Sequence, residues 1–113
     1  MLKKKEKENY LDYIPKRSLN IKWEEREDGL VRLIVPRNTI IDRIVRKLFF
    51  TPEAFKIDLD KLGSFIWRQI DGEKTIYEIG KLLREEFKEE AEPIYERLIQ
   101  FMRILKNNNF IEY

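Results

Sequence analysis

Near residue 60 the apolar rhythm of this 113-residue chain changes, and that change limits its fold more than any other feature. Upstream, Leu19, Ile21 and Trp23 alternate with polar positions, and Phe55, Ile57 and Leu59 do so again, the period of half-buried strands. Downstream, three groups recur at the three-and-four spacing of amphipathic helices. These are Leu62, Phe65, Ile66 and Ile70, then Ile76, Ile79, Leu83 and Phe87, then Leu98, Phe101 and Leu105. Strands before helices, without repeated alternation, point to an α+β domain.

Local signals mark the boundaries. Asp28-Gly29 predicts a hairpin turn between the first strand and the β-branched run Leu30 to Val35, which ends at Pro36. Ile40, Ile41, Ile44, Val45, Leu48 and Phe49 predict an extra helix over 38–50, between the second and third strands, which Thr51-Pro52 stops. Phe55 to Leu59 is the third strand. The first of three closing helices spans Asp60 to Ile70 and stops at Asp71-Gly72. Thr75-Ile76-Tyr77-Glu78 fits a capping box and opens the second. Pro93 opens the third, Asn107-Asn108-Asn109 ends it, and Phe110 to Tyr113 forms a short extended tail. The expectation is a winged helix-turn-helix-like domain over 16–113, with a three-stranded antiparallel sheet followed by a three-helix bundle. A flexible charged arm over 1–15, frayed or loosely docked through Tyr10, Leu11, Tyr13 and Ile14, precedes it.

Composition narrows the chemistry. The chain has no Cys and no His, which removes thiol nucleophiles, Cys/His zinc sites, histidine bases and Ser-His-Asp triads. Its four glycines, at 29, 63, 72 and 80, lack the spacing of a phosphate cradle. Carboxylate pairs such as Asp58/Asp60 and Glu85/Glu86 read as solvated faces. The expectation is a binding module, not an enzyme, with no catalytic residue, cofactor or metal. Lys and Arg number 23 against 21 Asp and Glu, so no strongly basic block exists to meet a phosphate backbone. The most basic cluster, Arg37, Arg43, Arg46 and Lys47, reads as a solvated helix face. No apolar run approaches the roughly 18 residues of a bilayer span, and the lysine-rich start lacks the apolar core of a signal peptide. A cytoplasmic location is expected, with neither membrane nor nucleic acid as partner.

The stretch from Ile57 to Ile79 resembles the central signature of the PqqD family, named for pyrroloquinoline quinone (PQQ) synthesis protein D. The similarity lies in the strand, the short helix around Gly63, Ile66 and Trp67, the Asp71-Gly72 turn and Thr75-Ile76-Tyr77-Glu78-Ile79. It continues through Leu105 to Ile111 and covers about residues 55–111. The resemblance implies a recognition element for ribosomally made, enzymatically modified peptides. Such a module binds the leader of a precursor peptide and presents it to a modifying enzyme, often a radical SAM protein. It further implies that the leader adds as a strand to the edge of the third strand and lies against the third helix. The 38–50 helix and the charged arm depart from the family's short members.

The residues locate that groove as follows. Phe55, Lys56, Ile57, Asp58 and Leu59 supply the strand edge, where backbone pairing gives affinity and alternate side chains give specificity. On the third helix, Leu98, Phe101 and Leu105 form the core arc, and Tyr95, Ile99 and Met102 a second apolar stripe bordered by Arg103 and Lys106. That second stripe is the expected groove wall, with the two cations meeting acidic leader residues. The opposite edge, Arg97, Gln100 and Ile104, ranks second. Two other functions compete: a winged-helix DNA-binding regulator, and a structural protein that dimerises through the same sheet edge. The acidic start of the third helix, Glu89-Glu90-Ala91-Glu92, counts against DNA. Monomer and homodimer are both compatible with the sequence.

Overall fold

A computed structural model describes residues 10–36 and 54–113. The helix expected over 38–50 and residues 1–9 of the arm lie outside the described residues. In chain order the elements are β1 (Lys16–Arg17), β2 (Lys22–Glu25), β3 (Val31–Pro36), β4 (Ala54–Asp58), α1 (Lys61–Gln69), α2 (Ile76–Phe87), a 3-10 turn (Lys88–Ala91), α3 (Ile94–Asn107) and β5 (Ile111–Glu112). Among these, β2, β3 and β4 form a three-stranded antiparallel sheet in that order, and the three helices follow it. The α+β expectation holds.

The hairpin between β2 and β3 forms where Asp28-Gly29 predicts it. Gly29 adopts φ +83°, a region open to glycine, and Leu30 N–H donates to Asp28 Oδ1 at 3.0 Å. Register then places Trp23, Leu33 and Ile57 in one cross-strand row, flanked by the rows Glu24–Arg32–Asp58 and Lys22–Ile34–Lys56. Because strand side chains alternate, the first row faces the helices and the flanking rows face outward. Val31 and Leu33 are fully buried on the inner face. The first strand begins later than the alternation suggests. Ile21 N–H donates to Ser18 O at 3.2 Å, so Leu19 sits in a turn and is 96% exposed.

Helix α1 joins both strands through a buried hydroxyl. Ser64 Oγ accepts from Val31 N–H at 2.9 Å and donates to Leu59 O at 3.3 Å. The Asp60 carboxylate caps the helix by accepting from Gly63 N–H at 2.8 Å. The Thr75/Glu78 capping box is present in full at the start of α2. Between them the Asp71 carboxylate accepts from the Glu73 and Lys74 N–H groups and from Lys74 Nζ at 2.5 Å. These donors, the lysine first, hold its pKa at about 2 against the usual 3.8. A depressed carboxylate stabilises the fold above pH 3.8, and that contribution disappears as pH falls toward 2. Asp71→Asn is therefore expected to be less stable than the parent at pH 7, with the gap closing by pH 2 in urea titrations.

Helices α2 and α3 approach closely at Gly80. A Cβ there would collide with Tyr95 Cε1, and the Tyr95 ring is stacked on Tyr77 with centroids 6.0 Å apart. Alanine in a helix gains about 1 kcal/mol over glycine, while overpacking costs about 1–3 kcal/mol. Gly80→Ala should lose about 1 kcal/mol net in denaturant titration. In a Tyr95→Ala background the same change should stabilise.

The chain ends close on themselves. β1 pairs with β5, Lys16 opposite Glu112 and Arg17 opposite Ile111, in a small second sheet that absorbs the expected tail. Of the arm over 1–15, residues 10–15 are docked. Gly72 N–H donates to Pro15 O at 3.1 Å and Ile76 N–H to Tyr13 O at 2.9 Å. The Tyr10 and Tyr113 hydroxyls share a hydrogen bond, and burial raises both phenol pKa values. The cause of the docking is apolar cover: Tyr10 and Leu11 are half-buried and Pro15 is buried.

Candidate functional site

Among the described residues β4 pairs with β3 alone, so its other side is an open edge. The backbone parity of that edge follows from one bond. Leu59 N–H donates to Val31 O at 2.9 Å, which turns the N–H and C=O groups of Lys56 and Asp58 away from β3. Two residues' worth of backbone donors and acceptors thus face outward, a template for another strand.

An apolar groove of about 300 Å³ runs between the inner sheet face and the last turns of α3. Leu33, Val35, Ile57 and Leu59 line it from the sheet, Phe101, Ile104, Leu105 and Asn108 from the helix, and Phe110 closes it. Ile104 is 50% exposed and lies among apolar neighbours along the groove. A second hollow of about 270 Å³ meets the groove at Phe101 and Ile104, between α3 and the Asp60–Ile66 stretch.

The strand half of the expected site lies at this edge. Lys56 and Asp58 are exposed, Ile57 is half-buried and Leu59 is buried, while the Phe55 backbone pairs with Val35. The helix half is placed differently. Ile94, Leu98, Met102 and Leu105 are the buried stripe of α3, so Met102, fully buried, is a core residue and no part of a groove surface. The buried stripe is turned by about 20° from the expected arc, enough to take in Met102 and leave Phe101 at its margin. That rotation sends Phe101, Ile104 and Asn108 toward the sheet. Tyr95, Ile99 and Arg103 point instead into another hollow of about 520 Å³, lined also by Leu11, which adjoins the groove at Ile104. Lys106 stands beside the Tyr113 ring, 4.3 Å from its centroid, away from β4. Helix periodicity alone does not separate two apolar flanks of one helix. Ile104 is the available clue, and it belongs to the edge ranked second.

The outer face of the sheet carries the electrostatics. Asp58 is held by Arg32 Nε at 2.7 Å and by Arg26 at 3.1 Å. The Arg32 hydrogen bond leads in lowering the Asp58 pKa and in raising that of Arg32. Arg32 also reaches Glu24 at 3.6 Å, and Arg26 reaches Asp28 at 3.3 Å. Among the described residues there is no group of three or more metal-ligating side chains, and no helix is long and apolar enough to cross a membrane. These surfaces offer backbone pairing, apolar contact and fixed charge.

Comparison with known proteins gives one assignment. The family model "Coenzyme PQQ synthesis protein D (PqqD)" matches residues 51–111. No curated protein and no solved structure matches the chain significantly. The matched stretch covers more than half of the 113 residues and takes in β4, α1 to α3, the Asp60 and Thr75 caps and the helix side of the groove. The chain belongs to the PqqD family.

Proposed function

We propose that this chain is a peptide-binding module. It captures an extended leader segment of a ribosomally made precursor peptide on the open edge of β4 and presents it to a modifying enzyme, a radical SAM enzyme being the partner that fits the family. In this reading the three-stranded sheet and three helices act as a winged helix-turn-helix recognition element, working in the cytoplasm and leaving the chemistry to the partner. Membership of a family of non-catalytic accessory proteins associated with PQQ synthesis is consistent with that role. The observation that carries it is a strand edge left open among the described residues, with an apolar groove alongside. Backbone bonds to Lys56 and Asp58 would supply affinity, and alternate side chains would enter beside Ile57, Phe101 and Ile104.

Ile104 is the residue to test, because its exposure lets it change without disturbing the core. Titration of the full chain with a synthetic leader peptide, taken from a precursor gene neighbouring this one, should give micromolar binding. Ile104→Asp should weaken it at least ten-fold, while Ile99→Asp, in the hollow beside Leu11, should leave it within about two-fold. Equal affinity in all three proteins overturns the groove. Concentration-dependent dimerisation that Ile104→Asp leaves intact and the peptide never competes away would favour pairing of two copies through β4.

A further inference from the structure

The outward face of the sheet carries a charge order that an added strand would inherit. One cross-strand row runs Lys22–Ile34–Lys56, two cations around an isoleucine, with no carboxylate partner for either lysine among the described residues. The next outward row runs Glu24–Arg32–Asp58. With Arg26 and Asp28 joined to it by ion pairs, this second cluster sets three carboxylates against two guanidiniums. One row therefore ends at the open edge on a cation, and the other on the carboxylate of a net acidic cluster. Between them, the inward row ends at Ile57, above the apolar groove.

We infer that the edge of β4 selects peptide segments of the pattern basic–apolar–acidic, read from the peptide's N-terminus, bound antiparallel to β4. The inference rests on the peptide-binding reading above and adds the order of charges on the ligand to it. The backbone groups of Lys56 and Asp58 face the edge, so an antiparallel strand exchanges both hydrogen bonds with each of them. Its residues opposite these two then lie on the same outward face, within reach of the lysine and the carboxylate. An acidic residue is favoured beside Lys56 and a basic one beside Asp58. The residue between faces inward, next to Ile57, and enters the groove. An antiparallel strand passes Asp58 before Lys56, which makes the order basic, apolar, acidic. Every strand pair in the described structure is antiparallel, and parallel pairing is slightly weaker per residue.

Two synthetic decapeptides of identical composition test this. Both carry Leu at each inward position and Thr at the other outward ones, and their central triplets are Lys-Leu-Glu and Glu-Leu-Lys. With the full chain at low salt, fluorescence anisotropy should show the Lys-Leu-Glu peptide binding about three-fold more tightly. That is the size expected of exposed cross-strand ion pairs, and about 1 M salt should erase it. Lys56→Glu should remove the preference while both peptides still bind. Equal affinities in the unaltered chain overturn the charge order but leave the groove reading standing. Tighter binding of Glu-Leu-Lys overturns the antiparallel direction, and a preference that survives Lys56→Glu overturns the role of Lys56. Failure of both peptides to bind overturns the peptide-binding reading and this inference with it.

Discussion

Met102→Asp is expected to abolish cooperative folding, with a loss of about 5 kcal/mol or more. Met102 is fully buried on α3 between Leu98 and Leu105, themselves buried. Removing the thioether from such a site costs about 2–5 kcal/mol by itself. Burying an unpaired carboxylate adds several kcal/mol, or forces it to be protonated. Against a total domain stability of about 5–15 kcal/mol, little remains. Circular dichroism through a urea titration should show the parent's transition missing at pH 7. Met102→Leu, which keeps the volume, should stay within about 1.5 kcal/mol of the parent. A Met102→Asp protein that folds normally would mean that α3 is turned the other way, with Met102 on a surface.

Trp67→Ala should cost about 3–5 kcal/mol, whereas Trp23→Ala should cost about 1 kcal/mol or less. Both tryptophans have the composition of a core residue, but only Trp67 is fully buried; Trp23 is 38% exposed. Trp23 lies on the inner face of the sheet, opposite Leu33, yet on the strand farthest from β4. There the Arg17 guanidinium packs on it, 5.1 Å from the ring centroid. The Trp67 Nε1–H has no hydrogen-bond partner among the described residues. Trp67→Phe, which removes that orphan donor with part of the volume, should therefore cost well under the alanine figure. Thermal melts of the three variants give the ranking. Emission of the Trp23→Phe protein should be blue-shifted, since only the buried indole remains.

The elements that local chemistry encodes are legible in the sequence alone. The Asp28-Gly29 hairpin needs a residue at ease with positive φ, the Thr75/Glu78 box satisfies its own donors within one turn, and the switch from period two to period 3.6 separates sheet from helices. Each depends on residues a few positions apart. The docking of residues 10–15 is not legible in this way, because Tyr10 meets Tyr113 and Pro15 meets Gly72 only after the chain has folded back. Neither is the short strand β1, whose partner β5 lies at the far end of the chain.

The candidate site divides along the same line. Periodicity is enough to sort the side chains of 55–59 between core and outer face, while the edge position is implied by the family resemblance and seen in the sheet order β2-β3-β4. It is not enough to orient α3, whose two apolar flanks, Tyr95/Ile99 and Phe101/Ile104, are nearly equivalent on a helical wheel. The choice comes from packing against neighbours distant in sequence. Tyr95 fits over Gly80, where a side chain would collide with it, and Phe101 fits beside Gly63, 3.4 Å from where its Cβ would be. With those two contacts made, Met102 turns into the core and Ile104 out to the groove. Local order along the chain determines which elements form and where they stop. The rotation of one helix, and with it which face meets the open strand, is decided by side chains that only the tertiary structure brings together.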